Sequence, residues 1–264
     1  MDATEYTYIK REVMSLMGID LNFYKDTQMQ RRLSSYLLRV GQSSWREYFQ
    51  IVRRDSTELQ KLRDYLTINV SSFFRDKEKY VYLQETILPE LLHGHPKLRI
   101  WSAGCSRGQE PYTLAMMLME LTGSFRRHYI LASDLDRGAL TFAKNGGPYT
   151  KDDVANVPPT LLSKYFRQES GSYWVSEELK RRITFKQQNL LADPFENNFD
   201  LIICRNVVIY FTAPVKDKLY QNFCQALRPG GILFVGGTEI VPKAQDIGFD
   251  TAGISFYRRR NGNK

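Results

Sequence analysis

The chain has 264 residues, 42% hydrophobic and 25% charged, a length that suits a small domain plus a standard α/β domain and a composition typical of globular proteins. No apolar run approaches the ~20 residues of a membrane span, and the charged start MDATEYTYIKRE lacks the apolar stretch of a signal peptide, so a cytoplasmic protein without membrane insertion is expected. The net charge of +8 points to an acidic partner, while three scattered cysteines (Cys105, Cys204, Cys224) argue against a disulfide frame or zinc site.

Residues 1 to about 78 read as helices. Met29, Leu33, Tyr36, Leu37 and Val40 recur at helical spacing, with Gly41 as a stop, and Arg31, Arg32 and Arg39 gather on the opposite face with Gln28 and Ser35. A second helix follows Ser43 or Ser44 and carries Trp45, Tyr48, Phe49 and Val52; a third runs near Leu59 to Leu66. Between Gln28 and Arg54 six arginines face a lone Glu47, so the basic excess is partly local. Charge alone favours a solvated basic face over a docking surface.

From about residue 79 the rhythm changes. Tyr80 to Leu92 reads as a linking helix. Apolar runs at Leu98–Ser102, Tyr129–Ala132, Leu201–Cys204 and Gly231–Val235 read as strands, alternating with helices at Pro111–Leu121 and Pro214–Ala226. That alternation predicts a mostly parallel sheet with helices on both faces. The segment from Asn145 to about Arg182 interrupts it; Tyr165-Phe166-Arg167 and Tyr173-Trp174-Val175 flank a polar turn as a hairpin, read as a small insertion.

Four segments carry candidate chemistry. Ile100 to Pro111 runs from a strand through a glycine-containing turn to a helix start, where backbone approaches a ligand closely and free N–H groups are offered; any tight strand-to-helix turn can hold glycine, so the feature alone is weak. Asp134 ends the next strand, 30 residues after Gly104, and serves either ribose hydroxyls or, with Asp136, the cap of a helix beginning near Arg137. Gln188 to Leu191 and Cys204 to Phe211 stand at expected strand ends, where open α/β sheets bind ligands and ordinary turns also occur. Thr67 to Arg75, taken alone, is a polar turn with two packing aromatics. His93-Gly94-His95 lacks further ligands, and no metal site is expected.

Together these segments resemble the chemotaxis receptor methyltransferases, the CheR family. The resemblance covers nearly the whole chain and is most specific at Asn69 to Arg75, Gly108 to Tyr112, Ala132 to Asp136, Asn189-Leu190 and Arg205 to Phe211. It implies a Rossmann-like methyltransferase sheet with a small inserted β-subdomain at about 146–184, occupying 79–264, behind a basic helical domain and linker at 1–78. It further implies S-adenosylmethionine as cofactor, with S-adenosylhomocysteine as product, and contacts at Asn69, Ser71, Arg75, Glu110, Asp134, Asn189, Leu190, Arg205 and Asn206. Ser71 stands where a threonine is common. Arg75 and Tyr210 are the implied catalytic residues, and Arg31, Arg32 and Arg39 the implied docking face for glutamate-rich cytoplasmic helices of chemoreceptors. A monomer recruited to membrane receptor arrays is expected, with no nucleic-acid partner. The alternatives are a nucleic-acid methyltransferase, for which a Pro-Cys nucleophile and a complete Asp/Asn-Pro-Pro-aromatic loop are missing, and a non-catalytic cofactor sensor. Arg107, large in a small-residue turn, is expected to point outward.

Overall fold

The structure is a computed structural model that describes residues 1–67, 69, 71–123 and 128–261. It divides into two compact units, one of Met1–Ile68 with Val208–Lys216, the other of Asn69–Val207 with Asp217–Lys264.

In the smaller unit, α1 (Ala3–Met17) starts at Asp2, whose side chain accepts from the Glu5 N–H, one of the orphan donors of a helix start. α2 (Asp26–Arg39) buries Met29, Leu33 and Tyr36; Leu37 and Val40 are only half-buried. α3 (Trp45–Arg54) takes Ser44 as its cap and buries Trp45, Tyr48, Phe49 and Val52, as their spacing predicts. α4 (Ser56–Thr67) is opened by Asp55, which accepts from the Thr57 N–H at 2.7 Å. The Tyr36 and Tyr48 hydroxyls meet at 2.8 Å, so each buried phenol has a polar partner. Arg53 pairs with the buried Glu12, and part of the local basic excess is thereby spent on packing α3 to α1.

The segment Val208–Lys216 packs on this unit although about 140 residues of sequence separate it from α4. A 3-10 turn, Val208–Tyr210, puts the Tyr210 carbonyl against the Lys25 N–H at 3.0 Å and the Thr212 N–H against the Phe23 carbonyl at 3.0 Å. The rings of Tyr24 and Phe211 pack edge to face, 5.2 Å apart.

The larger unit opens with α5 (Lys77–Tyr82), a π turn at Leu83–Ile87 and α6 (Leu88–Gly94). Pro89 has no N–H to bond the carbonyl four residues back, and the helix widens just before it. Then come β1 (Arg99–Ala103), α7 (Gln109–Thr122), β2 (Tyr129–Asp134) and α8 (Arg137–Asn145). α9 (Pro159–Tyr165), β3 (Phe166–Glu169), β4 (Ser172–Val175) and α10 (Glu177–Lys180) lead to β5 (Ile183–Gln187). β6 (Phe199–Cys204), α11 (Ala213–Ala226), β7 (Leu227–Val235), α12 (Ala244–Ile247), β8 (Phe249–Gly253) and β9 (Phe256–Arg259) complete it.

The seven-stranded sheet has the order β5-β2-β1-β6-β7-β9-β8, parallel through β7, with β9 antiparallel to both its neighbours. β6 is buried at every residue, the mark of a central parallel strand covered on both sides. Trp101 of β1 packs against Phe195, Phe199 and Phe223. The expected insertion contains a β3–β4 hairpin whose turn, Ser170-Gly171, has both φ values positive, the geometry that suits the twist of a two-residue hairpin. Tyr149 bridges to Tyr173 beside it.

Candidate active site

Strand order reverses between β1 and β6: β1 has β2 and β5 on one side and β6 and β7 on the other. The carboxyl ends of strands at such a reversal are where open α/β sheets bind ligands, in a crevice beside the strand exits.

The turn after β1 is folded back over β2. The N–H groups of Gly104 and Cys105 both donate to the Ser133 carbonyl, at 2.8 and 3.0 Å. Gly104 has φ 84°, and a Cβ there would stand 2.5 Å from Cγ2 of Val207; only glycine lets the exits of β1 and β6 approach so closely. Arg107 is exposed, as expected, with its guanidinium 4.8 Å over the Phe142 ring.

Of Asp134 and Asp136, the second caps the helix. Asp136 is the cap of α8, accepting from Gly138 and Ala139 at 2.7 and 3.1 Å. Asp134 takes the Ser106 N–H on one oxygen at 2.7 Å and the Asp136 N–H on the other at 2.9 Å. Its carboxylate is fixed by the chain yet keeps lone pairs for further donors. Burial pushes its pKa up, and the backbone hydrogen bonds work against that shift. Asn69 ties the loops together, donating to Asp136 at 2.6 Å and accepting from the Ser106 hydroxyl at 3.1 Å.

Across the crevice, Glu110 on the first turn of α7 accepts from the Ser102 hydroxyl at 2.7 Å and faces Arg205 at 3.7 Å. Burial raises the Glu110 pKa, with Arg205 opposing. The Arg205 side chain, 3% exposed, also pairs with Asp76, donates to the Arg75 carbonyl at 2.9 Å and to the Tyr80 hydroxyl at 3.3 Å, and lies 4.9 Å from the Phe234 ring centre. Arg75 sits between Phe74 and Asp76, at φ 51° and 61°, a pair of left-handed non-glycine residues that fixes where the loop turns. Buried Phe73 and Phe74 anchor it, and the Ser71 carbonyl accepts from Gln109 at 3.4 Å.

At the end of β5, Asn189 builds its own turn: its N–H donates to Asp193 at 2.8 Å and its side-chain oxygen accepts from the Leu191 N–H at 3.0 Å. Leu190 is half-buried there. After β6, Asn206 has φ 58°, and its N–H donates to Glu239 at 2.9 Å.

Asn69, Ser71, Arg75, Glu110, Asp134, Asn189, Leu190, Arg205 and Asn206 thus all belong to the larger unit, while Tyr210, Arg31, Arg32 and Arg39 belong to the smaller. Tyr210, Arg31 and Arg32, with Thr27 and Gln28, line a cavity of about 420 Å³; Arg39 is not among its lining residues. Arg32 differs from its neighbours. Its guanidinium donates to the Tyr65 carbonyl and lies 4.7 Å over the Tyr65 ring, whose hydroxyl returns a bond to the Arg32 carbonyl at 3.1 Å. It is half-buried, whereas Arg31 and Arg39 are exposed.

Sequence reasoning names Gln109 and Gln188 only as members of wider segments and misses Glu239. The two glutamines are 1% and 2% exposed, and each keeps a buried side-chain oxygen without a hydrogen-bond partner among the described residues, as does Asn206. Buried acceptors are ordinarily satisfied, and orphaned ones around a strand-end crevice fit a ligand rich in N–H and O–H donors, such as S-adenosylmethionine. Among the described residues no group of three or more His, Cys, Asp or Glu side chains is arranged to hold a metal ion.

Comparison with known proteins agrees with this geometry. The family described as CheR methyltransferase, SAM binding domain, matches residues 69–256, and its companion, CheR methyltransferase, all-alpha domain, matches 4–67. A chemotaxis protein methyltransferase of Listeria monocytogenes is 40% identical, over 96% of this chain and 96% of its own length. A probable chemotaxis protein methyltransferase of Rhizobium etli is 35% identical over 93% of this chain and 96% of its own, and a chemotaxis protein methyltransferase of Borreliella burgdorferi 35% identical over 90% and 88%. With both domains matched and relatives aligned along most of its length, the chain belongs to the CheR methyltransferase family.

Proposed function

We propose that the protein transfers a methyl group from S-adenosylmethionine to glutamate side chains on cytoplasmic helices of chemoreceptors, forming methyl esters at membrane receptor arrays. The observation that carries this reading is the cavity of the smaller unit, where Tyr210 shares about 420 Å³ with Arg31 and Arg32. It offers a phenol and an exposed guanidinium to an incoming carboxylate.

A glutamate carboxyl has an ordinary pKa of ~4.3. It is ionised at neutral pH and attacks without a general base, so the task left to the chain is positioning. The cofactor supplies a methyl group made electrophilic by a positively charged sulfur. Asp134, fixed by two backbone amides, accepts the ribose hydroxyls. Asn189 and Leu190 bound the adenine. Arg75 engages the cofactor carboxylate and Glu110 its amino group, while Asn69 and Ser71 shape the adjoining loop. Arg205 acts on these groups from behind, holding Glu110 and the Arg75 carbonyl. Tyr210 orients the nucleophile, and Arg31, Arg32 and Arg39 steer acidic helices to it.

The test is methyl transfer from tritiated S-adenosylmethionine to chemoreceptor cytoplasmic fragments, with RNA in parallel. Base-labile label on the receptor alone is the expected result. Label on RNA alone, or base-stable label on the receptor, overturns the proposal.

A further inference from the structure

The exits of β6 and β7 are joined by a carboxylate that the family resemblance does not mark. Cys204 and Val235 are the last paired residues of these parallel strands. Just beyond them, one oxygen of Glu239 accepts the N–H of Asn206 at 2.9 Å and the N–H of Gly236 at 2.6 Å. The Glu239 N–H returns to the Gly236 carbonyl at 2.9 Å, closing the turn, and the residue is 6% exposed. Charge-assisted bonds of this kind are stronger than neutral ones.

The arrangement has little slack. A Cβ on Gly236 would stand 2.6 Å from the Glu239 carboxylate and 3.1 Å from the Asn206 nitrogen. Asn206 is left-handed at φ 58°, a region that asparagine tolerates better than most non-glycine residues. Its side-chain oxygen is buried and has no hydrogen-bond partner among the described residues, although such acceptors are ordinarily satisfied. A carboxylate that merely closed a turn would not explain an asparagine held this way with its acceptor unused.

We propose that Glu239 is a positioning residue for the cofactor: it locks the Asn206 backbone so that the Asn206 carboxamide oxygen meets an N–H or O–H donor of bound S-adenosylmethionine. This rests on the cofactor pocket described above.

The test is calorimetric titration of the full chain with S-adenosylhomocysteine, for wild type, E239A, E239Q, N206G and the double variant E239A/N206G, with thermal unfolding of each. N206G deletes the carboxamide and leaves a residue at ease in the left-handed region. E239A is expected to weaken binding about tenfold, the worth of one buried hydrogen bond. E239Q, which keeps an acceptor oxygen, is expected to lose about threefold. On the N206G background the Glu239 effect should disappear, leaving the double variant within about twofold of N206G. Should E239A lack a cooperative thermal transition, the cycle is read from E239Q and E239Q/N206G. Unchanged affinity in E239A, or losses that multiply in the double variant, overturns the inference while the cofactor pocket stands. A wild type that does not bind S-adenosylhomocysteine overturns both.

Discussion

In the larger unit Arg205 is buried and bonded to Asp76, Tyr80, Glu110 and the Arg75 carbonyl, whereas in the smaller unit Arg31 and Arg39 lie open on α2. The first arginine belongs to a network whose members hold one another, and its removal leaves the buried Glu110 carboxylate without its facing charge, while Asp76, 44% exposed, keeps access to water. The others have water as their alternative partner, and their removal leaves the fold as it was. Arg205 is therefore built into stability, and the arginines of α2 are nearly independent of it.

The sharpest way to break that contrast is Arg205→Met. Removing one partner of a buried ion pair costs about 3–5 kcal/mol, and urea unfolding should register a loss in that range. The loss should depend on pH in a defined sense. Burial raises the Glu110 pKa above its ordinary value, and Arg205 restrains the rise. A group with a raised folded-state pKa favours the fold below its unfolded pKa and loses that contribution as pH rises through the folded value. Without Arg205 the folded pKa climbs further. The difference between wild type and Arg205→Met should then be smallest with pH near the ordinary glutamate pKa and widen as pH rises. A pH-independent difference would mean that Glu110 is not the group left stranded.

Tyr210→Phe comes next and separates chemistry from folding. It removes one hydroxyl and leaves the backbone bond to Lys25 in place. Turnover should fall about a hundredfold, the cost of a misplaced reacting group, or ~2.7 kcal/mol, with an unchanged unfolding midpoint. A wild-type rate would remove Tyr210 from the mechanism.

Much of this contrast was legible in the sequence, and the parts that were not share a cause. β6 was legible because a central parallel strand is apolar throughout. Asp134 and Arg205 were legible because strand ends mark the crevice. β8 and β9 were not foreseen: Asp250 and Thr251 are exposed, and only Phe256 and Tyr257 of β9 are buried, too short a pattern to separate from a basic tail. The packing of Val208–Lys216 on the helical unit leaves no local signature, since its bonds join residues about 185 positions apart. Glu239 reads in sequence like any acid in a glycine-rich turn, and only the two N–H groups on its oxygen distinguish it.

Arg32 differs from the other two arginines of the expected docking face in packing against Tyr65. Arg32→Ala loses a charge-assisted bond to the Tyr65 carbonyl and a cation–π contact, and should cost about 1–2 kcal/mol of stability. Any fall in receptor methylation should follow that loss. A stable Arg32→Ala protein with poor receptor methylation would show instead that the residue acts in docking.

Arg31→Ala and Arg39→Ala should have the smallest effect and the most informative shape. Neither arginine is more than surface charge in the free protein, so unfolding should move by less than about 0.5 kcal/mol. Their influence on an acidic partner is long-range and falls with salt, over a Debye length of about 10 Å at 0.1 M. At low ionic strength each should lower kcat/KM for the receptor a few-fold, with kcat and cofactor affinity unchanged. Arg31, which lines the Tyr210 cavity, should keep part of its effect in high salt, because a contact made inside a cavity is screened less than one across open solvent. Arg39, outside the cavity lining, should lose its effect altogether. If both variants respond to salt alike, Arg31 only steers the receptor and the Tyr210 cavity does not receive its carboxylate.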